Sequence, residues 1–104
     1  DIEALHEATT VALGTDNVML NSPSMFREME WAAKLSDLPA RDVLAMATAN
    51  GADVADLNCG VIEPGRAAKL VAVDGGSRNL DGVRDVVRGV VRRATVDDVD
   101  RVVL

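Results

Sequence analysis

The sequence is poor in aromatic residues, which make up 2% of the chain and consist of Phe26 and Trp31 alone. Hydrophobic residues nevertheless make up 48% of it, so we expect a core of aliphatic side chains. Surfaces that stack nucleic-acid bases need aromatic platforms, and phosphate binding needs clustered Lys and Arg. The formal net charge of −6 opposes such binding. The composition therefore predicts no nucleic-acid partner.

Cysteine and histidine are also scarce, since Cys59 and His6 each occur alone. A single cysteine excludes an intrachain disulfide and is typical of a protein in a reducing compartment. No apolar run approaches the ~20 residues of a membrane-spanning helix, and no signal-peptide pattern opens the sequence. We therefore expect a cytoplasmic protein with no membrane partner.

Acidic residues exceed basic ones, with 12 Asp and 5 Glu against 9 Arg and 2 Lys. Usage rich in Asp and poor in Lys fits a halophilic protein, because high salt screens the self-repulsion of an acidic chain. An ordinary acidic domain has a similar balance. Composition leaves both interpretations open.

The length of 104 residues corresponds to one small domain or to a piece of a larger one. A complete eight-stranded α/β barrel needs roughly 250 residues, so this chain is too short to form one. The first residue is Asp1 and not Met, which predicts a chain that is processed or cut from a longer one.

The first half of the sequence predicts helices around one short strand. Apolar spacing indicates the end of a helix at residues 2–7, and the β-branched, apolar residues 10–13 predict a strand. Turn-forming residues predict a loop over 14–24, after which Ser22 and Pro23 are expected to begin a helix. A further helix is expected from Asp37, with Asn50 and Gly51 as its C-terminal cap.

The second half alternates turns, strands and one helix. Glu63, Pro64 and Gly65 predict a type II turn, and residues 70–73 predict a strand. Valines recur at helical spacing from residue 83 to residue 94, which predicts a helix capped by Asp85, although valine by itself prefers strands. The last residues, 99–104, predict a strand, so the whole chain is expected to be of the α/β class.

Asp16 is the first candidate for chemistry, because it follows an apolar segment at a bend, Gly14-Thr15-Asp16-Asn17. In α/β barrel enzymes the catalytic groups lie at the ends of strands, where a carboxylate can hold a metal or move a proton. An aspartate after Gly-Thr also commonly forms an Asx turn or a loop cap. The residues alone leave both roles open.

The other candidates favour structural roles. His6 has no Cys, Asp or His near it at the spacing of a metal site, and Cys59 has no neighbouring His to activate it. Glycines 60, 65, 75 and 76 form no phosphate-binding loop. The arginines of residues 84–93 are interleaved with carboxylates, which predicts a solvated face of salt bridges.

Three segments in order resemble the C-terminal quarter of the amidohydrolase superfamily: VALGTDNVMLNSPSMFREMEWAAKL, ARDVLAMATANGADV and CGVIEPGRAAKLVAVD. The resemblance covers residues 2–104 and is greatest to the branch of cytosine deaminases, adenosine-type deaminases and triazine chlorohydrolases. The combination of GTD, ATANGA and GxIEPGRAA in this order is more specific than any one of these motifs.

The resemblance implies a parent enzyme with a metal-centred α/β barrel and a small β-sandwich built from both chain ends. Residues 1–58 would form the end of the barrel, namely its last strand and closing helices. Residues 59–104 would form the C-terminal part of the sandwich together with one helix. The fold class expected for this chain is therefore a partial, C-terminal piece of an α/β-barrel hydrolase.

The resemblance also implies a role for Asp16. In such enzymes the matching aspartate lies beside a zinc or iron ion, takes a proton from metal-bound water and delivers it to the leaving group, and Asn17 would help to shape the site. The usual outcome is loss of ammonia, an amine or chloride from a heterocyclic small-molecule substrate. Catalytic zinc sites normally use three protein ligands, so we expect this chain alone to retain no metal and no activity.

The alternative is a non-enzymatic remnant or interaction module that reuses the segment. Helices that once covered a barrel would expose apolar side chains such as Met25, Met29 and Trp31, and exposed apolar patches promote association. Self-association is therefore expected under either interpretation.

Overall fold

The computed structural model describes all of residues 1–104 and contains helices and a small sheet. The helices are α1 (Ile2–Ala8), α2 (Met25–Leu35), α3 (Ala40–Ala47), α4 (Ala49–Val54) and α5 (Val86–Arg93), with a 3-10 turn at Val96–Asp98. The strands are β1 (Leu70–Val73) and β2 (Val99–Val103). None of the helices has the length and apolarity that crossing a membrane requires.

The expected helices form, but three of their ends are not where the sequence patterns predict them. Helix α3 begins at Ala40 with Pro39 as its N-cap, so the prediction of a start at Asp37 is wrong. Helix α2 begins at Met25 with Ser24 as its N-cap, so the prediction of a start at Ser22 and Pro23 is wrong. The predicted cap at Asn50 and Gly51 is also wrong, because the helix breaks at Thr48 and these two residues lie inside α4. The Thr48 hydroxyl donates to the Leu44 carbonyl at 2.8 Å, a bond that satisfies one of the free carbonyls of the end of α3.

The core is small and aliphatic, as the composition predicts. It is formed where α2, α3 and α5 meet, and its buried cluster consists of Met29, Ala32, Ala33, Val43 and Val91. Because Met29 is in this cluster, the prediction that it is exposed is wrong. Met25 is partly buried, whereas Trp31 is 54% exposed. Helix α5 therefore shares one core with the helices of residues 1–58, and the division at residue 58 stays a prediction.

Residues 10–13 have no regular secondary structure and do not form the predicted strand. A strand needs a neighbouring strand to take up its backbone hydrogen bonds, and this segment instead contacts helices. The Leu13 amide donates to the Met46 carbonyl at 3.0 Å, and the Asn50 side-chain amide donates to the Val11 carbonyl at 2.9 Å. Two bonds of this kind fix the segment against the junction of α3 and α4, while its remaining backbone groups find no strand partner.

The predicted strands at residues 70–73 and 99–104 are confirmed, and they pair antiparallel as a two-stranded sheet. Leu70 pairs with Val103 and Val71 with Val102, and a bulge follows Ala72. All four of these paired side chains are exposed. In this chain the sheet therefore has no second layer such as a sandwich would supply. A two-stranded sheet without such a cover is marginally stable in water.

The valine-rich segment is a helix, which confirms the prediction made from the helical spacing of its valines. The preference of valine itself for strands does not decide the structure here. The Asp85 carboxylate caps α5 by accepting from the Arg88 amide at 3.0 Å. The prediction of a salt-bridged face is wrong, because no arginine of residues 84–93 forms an ion pair with a carboxylate. Arg92 instead donates to the Ala33 carbonyl at 2.8 Å, which joins α5 to the C-terminal end of α2.

The buried carboxylate of Asp98 organises the corner between α5 and β2. It accepts from the Asn79 side-chain amide at 2.9 Å and from the Thr95 backbone amide at 2.7 Å. These bonds stabilise the charged form, so the Asn79 amide first and the Thr95 amide second lower the pKa of Asp98 from 3.8 to about 2. These bonds therefore stabilise the ionised form of Asp98 over its protonated form.

We expect Asp98→Asn to lower the melting temperature and Asp97→Asn, its exposed neighbour, to leave it nearly unchanged. An amide at residue 98 cannot accept all the bonds that the carboxylate accepts. Because folding lowers this pKa, the unfolded chain binds more protons between pH 3.8 and about 2, and stability is lost as the pH falls through that window. Thermal unfolding followed by circular dichroism at pH 7, 3 and 2 should show the difference between the variants shrinking below pH 3.8. Equal melting temperatures for the two variants at pH 7 would contradict this role.

Candidate functional site

The loop between the segment of residues 10–13 and α2 carries the candidate residues. Asn17 gives this loop its shape, because its side-chain oxygen accepts from the Met19 amide at 3.0 Å. The Asn17 backbone carbonyl accepts from the Leu20 and Asn21 amides at 3.2 and 3.3 Å. The first bond is that of an Asx turn, so the loop is held in one conformation by Asn17.

Asp16 lies in a shallow polar depression of about 210 Å³ between this loop and the start of α2. Its carboxylate is exposed and makes no hydrogen bond or ion pair within the chain. The depression is lined by Thr15, Asp16, Asn17, Val18, Asn21, Ser22, Pro23 and Glu28. Asp16 and Asn17, which are consecutive in the sequence, both line this depression, and the Asp16 oxygens are free to contact a ligand.

Glu28 is a second carboxylate at this depression, and the sequence patterns do not single it out as a candidate. It is partly buried in the first turn of α2 and has no side-chain hydrogen bond. Glu28 lies at the depression because α2 begins at Met25, which puts Glu28 in the first turn of the helix, beside the loop that precedes it. The sequence signal for this position is Ser24, because a helix capped by Ser24 has Glu28 in its first turn.

His6 and Cys59 lie away from Asp16. The His6 Nε2 atom is 3.6 Å from an oxygen of Asp42 and joins α1 to α3. Cys59 is partly buried and lines a separate depression of about 250 Å³ beside α4. The structure therefore gives neither residue a part in the site at Asp16.

The residues of this chain do not fit a complete catalytic metal site. No group of three His, Cys, Asp or Glu side chains is arranged to hold an ion, whereas such sites normally use three protein ligands. The depression offers two carboxylates, Asp16 and Glu28, and its only other polar side chains are hydroxyls and amides. Ligands from beyond this sequence would be needed to retain an ion here.

Residues 2–102 match the model of the amidohydrolase family. Three individual proteins are also similar to this chain. A 5'-deoxyadenosine deaminase from Methanococcoides burtonii is 36% identical over 94% of this chain and 25% of its own length. A 5-methylthioadenosine/S-adenosylhomocysteine deaminase from Halobacterium salinarum is 39% identical over 94% of this chain and 25% of its own length.

The third is an uncharacterized protein from Methanocaldococcus jannaschii, 34% identical over 94% of this chain and 26% of its own length. In all three cases the similarity runs along nearly the entire chain. The chain therefore spans about a quarter of the length of the relatives that it matches.

Proposed function

Because the chain belongs to the amidohydrolase family, we propose that it supplies the C-terminal part of a hydrolase that removes an amino group from a heteroaromatic ring. The relatives named as deaminases of adenosine derivatives support this reaction and a nucleoside substrate. Loss of chloride is the less supported variant of the same chemistry. The family is generally metal-dependent, and zinc or iron would be held by residues beyond this sequence together with Asp16.

The proposed work of Asp16 is proton transfer. A water molecule attacks the ring carbon that carries the amino group, and the Asp16 carboxylate accepts one proton from that water. The carboxyl group then passes this proton to the amino group as the carbon–nitrogen bond breaks and ammonia leaves. The second proton of the water remains on the product. A carboxylate within reach of the proton is the requirement for such catalysis.

The observation that carries this proposal is the position of Asp16 in a chain that aligns nearly end to end with deaminases. Its carboxylate is free of partners inside the chain and follows the apolar segment of residues 10–13. In a complete barrel that segment would be a strand, and catalytic groups lie where barrel strands end. The loop of residues 14–24 would then lie on the catalytic face.

The test is a deaminase chimera, in which residues 1–104 replace the matching quarter of the Methanococcoides burtonii deaminase. We expect the purified chimera, loaded with zinc or iron, to release ammonia from 5'-deoxyadenosine. If the chimera folds and binds metal but releases no ammonia from 5'-deoxyadenosine or 5-methylthioadenosine, the proposed function is wrong.

The second candidate function, self-association, is supported by the exposed surface. The chain exposes 7445 Å², whereas a compact protein of 11.0 kDa exposes about 5,600 Å². The exposed area in excess of the compact value is larger than the roughly 800 Å² that each partner buries in a standard interface. Exposed Val71 and Val102, which pair across the sheet, belong to this surplus.

We expect the isolated chain to form dimers or larger species as its concentration rises, because the uncovered apolar surface gains free energy when it is buried. Sedimentation velocity should show the mass rising above 11.0 kDa. Val102→Lys should weaken association, and Arg101→Lys in the same strand should not. A monomer at every accessible concentration would contradict this candidate function.

A further inference from the structure

We propose that the tip of the loop after Asp16, formed by Val18, Met19 and Leu20, is the apolar wall against which the substrate's heterocycle packs, with Met19 as the specificity-determining residue. This inference rests on the proposed function and adds to it a residue that contacts the ring. It predicts a defect in substrate binding, which is distinct from the defect in proton transfer expected at Asp16.

The exposure of the tip is the first observation. Val18, Met19 and Leu20 are 57%, 91% and 79% exposed, and they are consecutive. An exposed run of large apolar side chains on one short turn is unusual in a monomer unless it contacts something. Apart from Pro23, the other residues of the loop are glycine or polar.

The order of the tip is the second observation. The Asx turn at Asn17 and the two bonds to its carbonyl order the backbone that carries Met19 and Leu20. A backbone that is already ordered adds little entropy cost when a ligand covers the turn. The tip therefore has the structure of a contact surface.

The third observation is that the tip adjoins the depression that holds Asp16, which favours a ligand of that depression as the group that covers the tip. Val18 belongs both to the tip and to the depression that holds Asp16, whereas Met19 and Leu20 follow it on the same turn outside that lining. A ligand that extends from Asp16 past Val18 therefore reaches the tip. The depression itself is polar, whereas pockets for small molecules are lined mostly by apolar groups with a few polar ones. A flat heterocycle needs such an apolar surface, and the thioether of Met19 makes favourable contacts with aromatic rings.

The test compares Met19→Gln with Ile62→Gln in the deaminase chimera. Glutamine keeps the length of the side chain and removes its apolar character, and Ile62 is 89% exposed but lies outside the loop. We expect Met19→Gln to raise KM for 5'-deoxyadenosine about tenfold, to raise Ki for adenine by a similar factor, and to change kcat little. Ile62→Gln should change none of these values.

Two results would overturn the inference without touching the proposed function, namely an unchanged KM and Ki, or a lowered melting temperature with KM unchanged. The second would mean that the tip packs against the rest of the barrel. In either case, ammonia release by the chimera would still support the proposed function. If the chimera does not fold, residues 14–24 alone are transferred into the same deaminase, and the Met19→Gln comparison is made there with the same expected shifts.

Discussion

Replacing Asp16 with asparagine should lower kcat/KM of the deaminase chimera by about a thousandfold, within the range by which positioned acids and bases accelerate reactions. Asparagine has almost the same shape but cannot take a proton from water or return one to the leaving group. Because Asp16 is exposed and makes no bond inside the chain, the substitution should leave the melting temperature unchanged. Initial rates of ammonia release from 5'-deoxyadenosine measure the loss.

Asp37→Asn is the matched control, since Asp37 is also an exposed loop aspartate but lies between α2 and α3. We expect this variant to keep its rate to within about twofold, as surface substitutions usually do. An Asp16→Asn chimera that is folded, contains metal and retains most of its activity would show that Asp16 has no catalytic role.

Replacing Gly60 with alanine should destabilise the fold strongly, although it adds only one methyl group. Gly60 has a φ of +88°, which costs a residue with a Cβ atom about 1 kcal/mol or more. A Cβ atom there would also lie 2.8 Å from the Ala52 Cβ and 2.9 Å from the Thr48 carbonyl oxygen. Since the helix backbone cannot move away freely, we expect a total loss of about 3 kcal/mol in the free energy of unfolding.

Gly65→Ala separates the cost of the positive φ from the cost of the close contacts that a Cβ atom would make. Gly65 has nearly the same φ, +89°, but no atom lies within 4 Å of the point that a Cβ atom would occupy there. We therefore expect this variant to lose only about 1 kcal/mol. Urea unfolding of both variants of the isolated chain gives the comparison. Equal losses would show that the close approach of Gly60 to α4 adds nothing.

The helices and the site loop could be predicted from the sequence because their signals are local. Apolar spacing places α2 and α5, and the turn at Glu63 is confirmed by the positive φ of Gly65 and the bond from the Arg66 amide to the Glu63 carbonyl at 3.3 Å. The β-branched, apolar residues 10–13 also give a local signal, but a strand depends in addition on a neighbouring strand, and this chain supplies none there.

The site was predicted only in part for the same reason. The motif at Asp16 and Asn17 is contiguous, so the sequence alone singles out both residues as candidates. Glu28 reaches the depression through the position at which α2 starts, and a helix boundary is the least certain part of a sequence-based prediction. The metal ligands that we propose outside these 104 residues are a different case, since no pattern within the sequence can reveal them.

We propose that this chain carries one catalytic carboxylate of a deaminase and depends on further residues for metal and turnover. The metal content and ammonia release of the isolated chain, incubated with zinc or iron(II) and 5'-deoxyadenosine, test this proposal. We predict neither stoichiometric metal nor ammonia above the buffer control. Stoichiometric metal accompanied by turnover would contradict the claim.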